Sequence, residues 1–535
     1  MGIYLNPGNE NFKRIASSKL YVDKTQLIAI MNTLVQTADN YVCVSRPRRF
    51  GKTTANNMLA AYYSKGCDSR SLFAPFKIAQ ASSFVERLNK FNVLKIDVNS
   101  EYRNAPSKDK LISSLSSAIR KEFRSQFPTV GFEDEDSVAT CIIKANAVSN
   151  EQFVILLDEY DVLVREQVPE KLQLHYLDFL NGLFKSDTVR PALALAYITG
   201  ILPVVRDRVQ SKLNNFDEYT ILNAEKFSEF TGFTEQEVRE LCETHGIDFS
   251  ECKNWYDGYR MRWYDEQRQE FKSCDIYNPE SVVKTMLSHK FGNYWNKSST
   301  YAVISDRIDR NFSGTKDDII RMIAGERVGV NVTTYKNTMD SFASKNDVFT
   351  YLLHLGYLAY DEEEQTCRIP NYEVRQEWLN VVETSSEYAE TDAIIKASRQ
   401  LLAETVAGNA QAVATALDQS HIHVTSNRSY NNEDALQSAI YLSFIYALNK
   451  YTVLREMPTG KGVADMVYIP IKQDLPALII ELKHNKSVES ALKQIRERQY
   501  FTSLSHYSGT LLFVGISYDE HTKKHACRIE TFVKK

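Results

Sequence analysis

Residues 41–63 read YVCVSRPRRFGKTTANNMLAAYY: an apolar, β-branched run, a basic loop, then a helical pattern. Gly51-Lys52-Thr53 stands at the junction, in the frame GxxxxGK[ST] with Arg46 in place of the first glycine. A glycine lets the backbone come close to a phosphate, and a helix N-terminus presents N–H groups that have no partner inside the helix. In such a frame Lys52 reaches the β- and γ-phosphates and the Thr53 hydroxyl holds Mg²⁺; Thr54 beside it joins the nucleotide-binding set. Arg46, Arg48 and Arg49 would neutralise further phosphate charge.

A phosphate loop needs an acidic partner, and working outward from the loop finds one. FVILLDEYD (153–161) sets Asp158 and Glu159 at the end of an apolar strand. Asp158 would hold the Mg²⁺ shell and Glu159 would polarise the attacking water. ALAYITG (194–200) ends another strand with Thr199, placed to sense the γ-phosphate. Arg206 or Arg208 would act as an arginine finger, across the subunits of a homo-oligomer. GKT alone marks many ordinary helix starts; the strand before it, the helix after it and the distant DE favour nucleotide binding. The runs 41–45, 91–98, 153–158 and 194–200 alternate with helix-length segments, which predicts a parallel sheet with crossover helices.

The chain has 535 residues, 43% hydrophobic and 25% charged, with only 20 Gly and 13 Pro. That excludes a disordered or collagen-like chain and predicts several helix-rich α/β domains. From Thr425 onward 15 Lys+Arg face 11 Asp+Glu, a net +4 against −8 for residues 1–424. Contact with a polyanion is therefore expected in the tail. Eight dispersed cysteines without a CxxC pair fit reduced thiols in a cytoplasmic protein. No signal-peptide pattern opens the chain, and PALALAYITGILPVV (191–205) is too short to span a bilayer, so no membrane role is expected.

Thr234 before Glu237 in FTEQEV predicts a capping box. Residues 347–371 read as helix, glycine turn, strand, acidic turn and strand, the outline of a winged helix. The acidic DEEE turn favours a structural or protein-contact role for it over DNA binding. The boundaries expected are 1–235 for the phosphate-loop domain, 236–304 for a helical lid, 305–424 for a helical and winged-helix-like connector, and 425–535 for a compact α/β unit. His421 and His423 fall on one face of an expected strand, but without a third ligand they read as ordinary histidines.

In the tail, VADMVYI carries Asp465, and sixteen residues later ALIIELK carries Glu481 and Lys483. Residues 481 and 483 leave one face of a strand, and the three groups converge if the two strands are antiparallel neighbours. Two carboxylates can hold Mg²⁺ or Mn²⁺ and a lysine can orient the attacking water, the set that phosphodiester hydrolysis needs.

RPRRFGKTT, LYVDKTQLI (20–28), LFAPFKIA (72–79), VILLDEYD, YITGI, KLNNF (212–216), WYDGYR, IYNPESVV and IPNYEVR resemble the AAA-ATPase-like proteins of microbial genomes. The resemblance covers nearly the whole chain and implies a P-loop ATPase core with a nuclease-like C-terminal domain. D-x15-E-x-K resembles the PD-(D/E)xK nuclease superfamily. Carried over, it implies that Asp465, Glu481 and the Leu482 carbonyl bind metal and that Lys483 is catalytic. It also makes Glu433 the helical acid and matches Gln494 and Tyr500 to the Q-x5-Y pattern of the next helix. Ala464 stands where the superfamily has proline.

Together these readings predict a multidomain α/β chain: a P-loop parallel-sheet ATPase core, a helical and winged-helix-like middle, and a restriction-endonuclease-like α/β domain. The function expected is an ATP-binding and ATP-hydrolysing protein controlling a metal-dependent nuclease that cleaves DNA phosphodiester bonds, with RNA the alternative substrate, by analogy in defence against phage or mobile elements. The rivals are a nucleotide-operated switch or scaffold with an inactive nuclease-like domain, and a nuclease with a vestigial P-loop.

Overall fold

The computed structural model describes residues 2–166, 168–204, 213–265, 268–295, 314–335, 342, 344–384, 389–424, 433–459, 462–470, 475–498, 507 and 509–532. The chain forms two compact units, one of Met1–Ser298 with Val328–Val374 and one of Ser299–Arg327 with Arg375–Lys535.

The first unit is built on β1 (Tyr41–Ser45), β2 (Asn92–Asp97), β3 (Phe153–Asp158), β4 (Leu193–Gly200) and β5 (Asp217–Tyr219). They form one parallel sheet in the order β2-β3-β4-β1-β5. Every residue of β1, β3 and β4 is buried, because a parallel sheet is covered by helices on both faces. Alternate side chains feed two separate cores. Cys43, Ile155, Leu157 and Ile198 pack with the helix Leu111–Gln126 through Leu115, Ile119 and Phe123. Val42, Val44, Val154 and Leu156 pack with the helix Lys52–Tyr63 through Ala55, Met58 and Leu59. β4 lies between β1 and β3, so the basic loop, Asp158 and Thr199 meet at one edge.

The same unit continues through β6 (Phe233–Thr234), β7 (Tyr259–Asp265) and β8 (Glu270–Tyr277), an antiparallel sheet in the order β6-β8-β7. The capping box of Thr234 and Glu237 opens the helix Glu235–His245. The succession of elements read in 347–371 is present as the helix Lys345–Leu355, Gly356 at φ +85° and two short strands. With β9 (Val328–Gly329), β10 (Ala359–Asp361) and β11 (Thr366–Arg368) form a sheet in the order β10-β11-β9. Gly356 sits tight against the basic loop: a Cβ there would stand 2.8 Å from Pro47 Cβ and 3.1 Å from Trp295.

The second unit is built on β12 (Tyr451–Thr459), β13 (Gly462–Pro470), β14 (Ala477–His484), β15 (Leu511–Asp519) and β16 (Lys524–Phe532), in that order across one sheet. Only β14 and β15 run parallel, and the helix Val488–Glu497 lies in the chain between them. Its Leu492 and Ile495 cover Ile479, Leu511 and Phe513. One expectation fails here. His421 and His423 lie in the helix Ala410–Val424 and not in a strand, and residues two apart on a helix do not share a face.

Candidate active sites

The basic loop leaves β1 and ends at Gly51, whose φ of +84° only glycine adopts without strain. Lys52 begins the following helix and is almost fully buried. Its Nζ donates to the carbonyls of Arg46 (2.9 Å) and Pro47 (2.7 Å), so the loop is wrapped around its own ammonium. Burial pulls the Lys52 pKa down to about 8, against the opposing pull of Glu159 and Asp158.

Asp158, 1% exposed, accepts from Thr199 Oγ1 at 2.6 Å and from the backbone N–H of Glu159 at 3.1 Å. Burial raises its pKa, and the hydroxyls of Thr199 and Thr53 and the charge of Lys52 oppose the rise. Asp97 adds to it, being the register partner of Asp158 across β2 and β3. Asn56, four residues into the helix, donates to Thr199 Oγ1 (3.1 Å) and to Leu157 O (3.3 Å), tying the helix to β3 and β4. Thr54 and Gly51 line an adjoining, mainly apolar cavity of about 160 Å³ with Tyr21, Met58 and Phe233. Its one charged lining group, Lys24, donates to Glu237 Oε2 and to Glu229 O, both at 2.6 Å.

The three loop arginines divide. Arg46 is fully buried, and its Nη1 donates to the carbonyls of Ser45 (2.8 Å) and Tyr219 (2.7 Å). It ties β1 to β5 and does not line the loop, which corrects its expected place beside phosphate. Burial lowers its pKa to about 10. Arg49 is likewise engaged elsewhere: its Nε pairs with Glu280 at 3.0 Å and its Nη1 donates to Tyr294 O. Arg48 stays beside the acidic edge, where burial and Arg165 lower its pKa and Glu159 raises it. Arg206 and Arg208 lie outside the described residues.

In the second unit, β13 and β14 are antiparallel, with Met466 opposite Ile480. The pairing ends there, and Asp465 and Glu481 are the next residues on the two strands. Asp465 Oδ2 accepts from Leu482 N at 2.7 Å, and its carbonyl accepts from Gln437 Nε2 at 2.9 Å. Glu481 is fully buried and Lys483 nearly so. Lys483 Nζ donates to Glu481 Oε1 at 3.0 Å and to Leu482 O at 2.9 Å. Glu481 Oε2 is buried with no hydrogen-bond partner. Burial first, and then the charge of Asp465, push the Glu481 pKa up to about 7; Lys483 pulls the other way. A buried carboxylate oxygen beside a second carboxylate is costly unless a cation meets it. This donor set therefore suits a hard divalent ion.

The structure thus gathers Asp465, Glu481, Leu482 and Lys483. Glu433 stands at the start of the helix Glu433–Ser443, and Gln494 lies on the helix Val488–Glu497, half-buried. Tyr500 is outside the described residues. Sequence reasoning passed over Gln437, Asn56, Asp97, Lys24 and Arg165. For Arg165 a signal existed, an Asp161–Arg165 spacing of i,i+4 directly after DEYD. The others depend on contacts between distant segments.

Residues 7–210 match the family model described as a predicted AAA-ATPase, AAA-ATPase-like. Residues 431–527 match that of the PD-(D/E)XK nuclease superfamily. Among solved structures, the ORC2 protein of Aeropyrum pernix in its ADPNP–ADP complexes is 12% identical; the match covers 69% of this chain and 97% of that one, with a TM-score of 0.29. The Aeropyrum pernix ORC1 protein in complex with DNA is 11% identical, covering 92% and 98%, with a TM-score of 0.23. AMPPCP-bound DnaA from Aquifex aeolicus is 10% identical, covering 70% and 88%, with a TM-score of 0.21. No curated protein matches. No helix among the described residues is long and apolar enough to cross a membrane.

Proposed function

We propose that this chain, a hydrolase that joins an AAA-ATPase-like domain to a PD-(D/E)XK nuclease superfamily domain, binds and hydrolyses ATP to control a metal-dependent nuclease acting on DNA. The observation that carries the nuclease half is the facing pair Asp465 and Glu481 with Lys483 beside them, one Glu481 oxygen being buried without a partner. Asp465, Glu481 and the Leu482 carbonyl would hold a Mg²⁺ or Mn²⁺ ion. Bound there, the ion would supply a water of lowered pKa and neutralise charge on the phosphodiester.

The chain's own groups do the rest. The Leu482 N–H fixes the Asp465 carboxylate, so its other oxygen is held in one direction. Lys483 donates to Glu481 and, on the arrival of a phosphate, offers its remaining N–H to the developing negative charge. The basic balance of the tail favours a polyanionic substrate.

For the first domain, Lys52 and Thr53 would meet the phosphates and their Mg²⁺, Asp158 would hold the metal's water shell through its Thr199 contact, and Glu159 would accept a proton from the attacking water. The cavity beside Gly51 and Thr54 offers an apolar wall for a base.

A second reading has an observation of its own. The Lys483 ammonium already bonds both Glu481 Oε1 and Leu482 O, so an internal cation partly satisfies the pocket, as a switch with an inactive nuclease-like domain would have it. Incubating supercoiled plasmid, single-stranded DNA and RNA with Mg²⁺ or Mn²⁺, with and without ATP, separates the two. Cleavage by wild type, lost in Lys483→Ala and altered by ATP only when Lys52 is intact, supports the nuclease. Intact substrates in every condition, with DNA retention unchanged in Asp465→Ala, favour the switch.

A further inference from the structure

The nucleotide site contains a guanidinium that the phosphate-loop pattern does not supply. Arg165 ends the short helix Val162–Arg165, seven residues past Asp158. Its side chain is only 7% exposed. One nitrogen, Nη2, lies 3.0 Å from Glu159 Oε2, and Nη1 lies 3.3 Å from Asp161 Oδ2. Asp161 is itself committed, its Oδ2 accepting from the N–H groups of Ile201 (3.1 Å) and Leu202 (3.0 Å) just past Thr199. Arg165 is thus fixed to the end of β4 on one side and to Glu159 on the other. Glu159, at φ +51°, occupies a backbone conformation unusual for a side-chain-bearing residue, which aims it from the strand end.

Two features separate this from an ordinary buried ion pair. The Arg165 Nε–H is buried with no acceptor, so the protein does not saturate the guanidinium. The Arg46 Nε–H is buried without an acceptor too, but Arg46 ends on main-chain carbonyls within the sheet, whereas Arg165 ends on carboxylates at the edge that Asp158 and Glu159 share. The group also stands within the field of the loop cations: Arg165 lowers the pKa of Arg48 and contributes at Lys52. Three positive groups, Arg48, Lys52 and Arg165, therefore surround the edge that Asp158 and Glu159 share. They face the carboxylates of Asp158, Glu159 and Asp161, and a phosphate arriving at that edge would lie within the field of all three cations.

We infer that Arg165 is the arginine that completes the nucleotide site from within the same chain: it positions Glu159 and turns its remaining N–H to the terminal phosphate of a nucleoside triphosphate. The inference rests on the nucleotide reading above and goes beyond it, since it replaces a finger borrowed from a neighbour by one built in cis. An arginine on the terminal phosphate makes affinity depend on that phosphate, while the diphosphate is held by the loop alone.

The test uses the full chain and two fluorescent nucleotides, mant-ATP and mant-ADP, with Mg²⁺. Wild type and Arg165→Ala, Arg165→Lys and Glu159→Gln are titrated with each, and steady-state hydrolysis is resolved into kcat and KM. The expected result for Arg165→Ala is a mant-ADP affinity within twofold of wild type, a loss of about tenfold in preference for the triphosphate, and a fall in kcat of at least a hundredfold. Glu159→Gln should lose hydrolysis yet keep the preference. Arg165→Lys retains a charge for Asp161 and guards against simple misfolding: restored thermal stability without restored preference supports the assignment.

Arg165→Ala or Arg165→Lys with both preference and kcat within threefold of wild type overturns it. Failure of wild type itself to bind either nucleotide overturns the nucleotide reading and this inference with it, a result that the variants alone cannot produce.

Discussion

Glu373 offers the sharpest quantitative check on the first unit. It lies in the first turn of the helix Tyr372–Thr384 and is fully buried. Its Oε1 accepts from the backbone N–H of Tyr294 (2.7 Å) and Trp295 (3.0 Å), and both oxygens lie 2.9 Å from Ser281 Oγ. Burial pushes its pKa up from 4.5 to about 7, although those donors and Arg49 pull it back. Folding therefore binds this proton more tightly than the unfolded chain does. The corresponding stability is complete below pH 4.5 and is lost as the pH rises to about 7; the full difference is roughly 3 kcal/mol.

Glu373→Gln removes the charge at every pH. The amide keeps a carbonyl for Tyr294 and Trp295 and weakens the Ser281 contact, a loss of about 1 kcal/mol. At pH 5 the variant should be equal to wild type or about 1 kcal/mol less stable. At pH 8 it should be about 2 kcal/mol more stable. Three of the four tryptophans, Trp255, Trp263 and Trp295, lie in this unit, so urea unfolding followed by tryptophan fluorescence at the two pH values reads it directly. An identical stability difference at pH 5 and pH 8 would refute the argument, because it would mean the carboxyl carries no ionisation cost in the fold.

Arg46→Met leaves the carbonyls of Ser45 and Tyr219 buried without their donor, so stability should drop by about 2–4 kcal/mol while ATP affinity stays within threefold; a loss of affinity at constant thermal midpoint would return Arg46 to the phosphate. Lys52→Met should lower ATP affinity at least a hundredfold in calorimetric titration; relief of a buried ammonium whose pKa is down to about 8 opposes the loss of its bonds to the Arg46 and Pro47 carbonyls, so the thermal midpoint should move less than in Arg46→Met. Gly356→Ala combines a left-handed backbone with contacts of 2.8 Å to Pro47 and 3.1 Å to Trp295, and a cost of about 2–4 kcal/mol is expected in urea unfolding.

What the sequence made legible follows from periodicity. β1, β3 and β4 were readable because a strand covered on both faces must be apolar almost throughout, and YVCVS, FVILL and ALAYI are. The facing of Asp465 and Glu481 was readable because side chains alternate with period two and a short connection makes neighbouring strands antiparallel. Arg46 was not readable: a charged residue beside GKT looks like a phosphate ligand until β5, more than 170 residues later, delivers the Tyr219 carbonyl to it. The same holds for Asn56 and Lys24, whose partners come from other segments. HIHV misled because two histidines spaced i,i+2 suit a strand, whereas the helical pattern of AQAVATALDQS carries through to Val424.

The two sites share one physical device although their sheets are unrelated. In the parallel sheet, Asp97 and Asp158 are register partners on neighbouring strands. In the mixed sheet, Asp465 and Glu481 follow the Met466–Ile480 pair across antiparallel strands. Each arrangement holds two carboxylates at one level of a buried sheet edge, and in each the second carboxylate raises the pKa of the first. A fold under no other demand would separate or pair them fully. Instead each receives partial compensation from a lysine, Lys52 in one site and Lys483 in the other. Incomplete neutralisation of this kind leaves a negative focus that a small, hard cation relieves more effectively than an ammonium, because it meets both carboxylates at closer range. Adding Mg²⁺ or Mn²⁺ should therefore stabilise both units, and Asp465→Asn should abolish the gain in the second unit alone; a metal-induced thermal shift that survives both Asp465→Asn and Asp158→Asn would show that the carboxylate pairs are not where the ions bind.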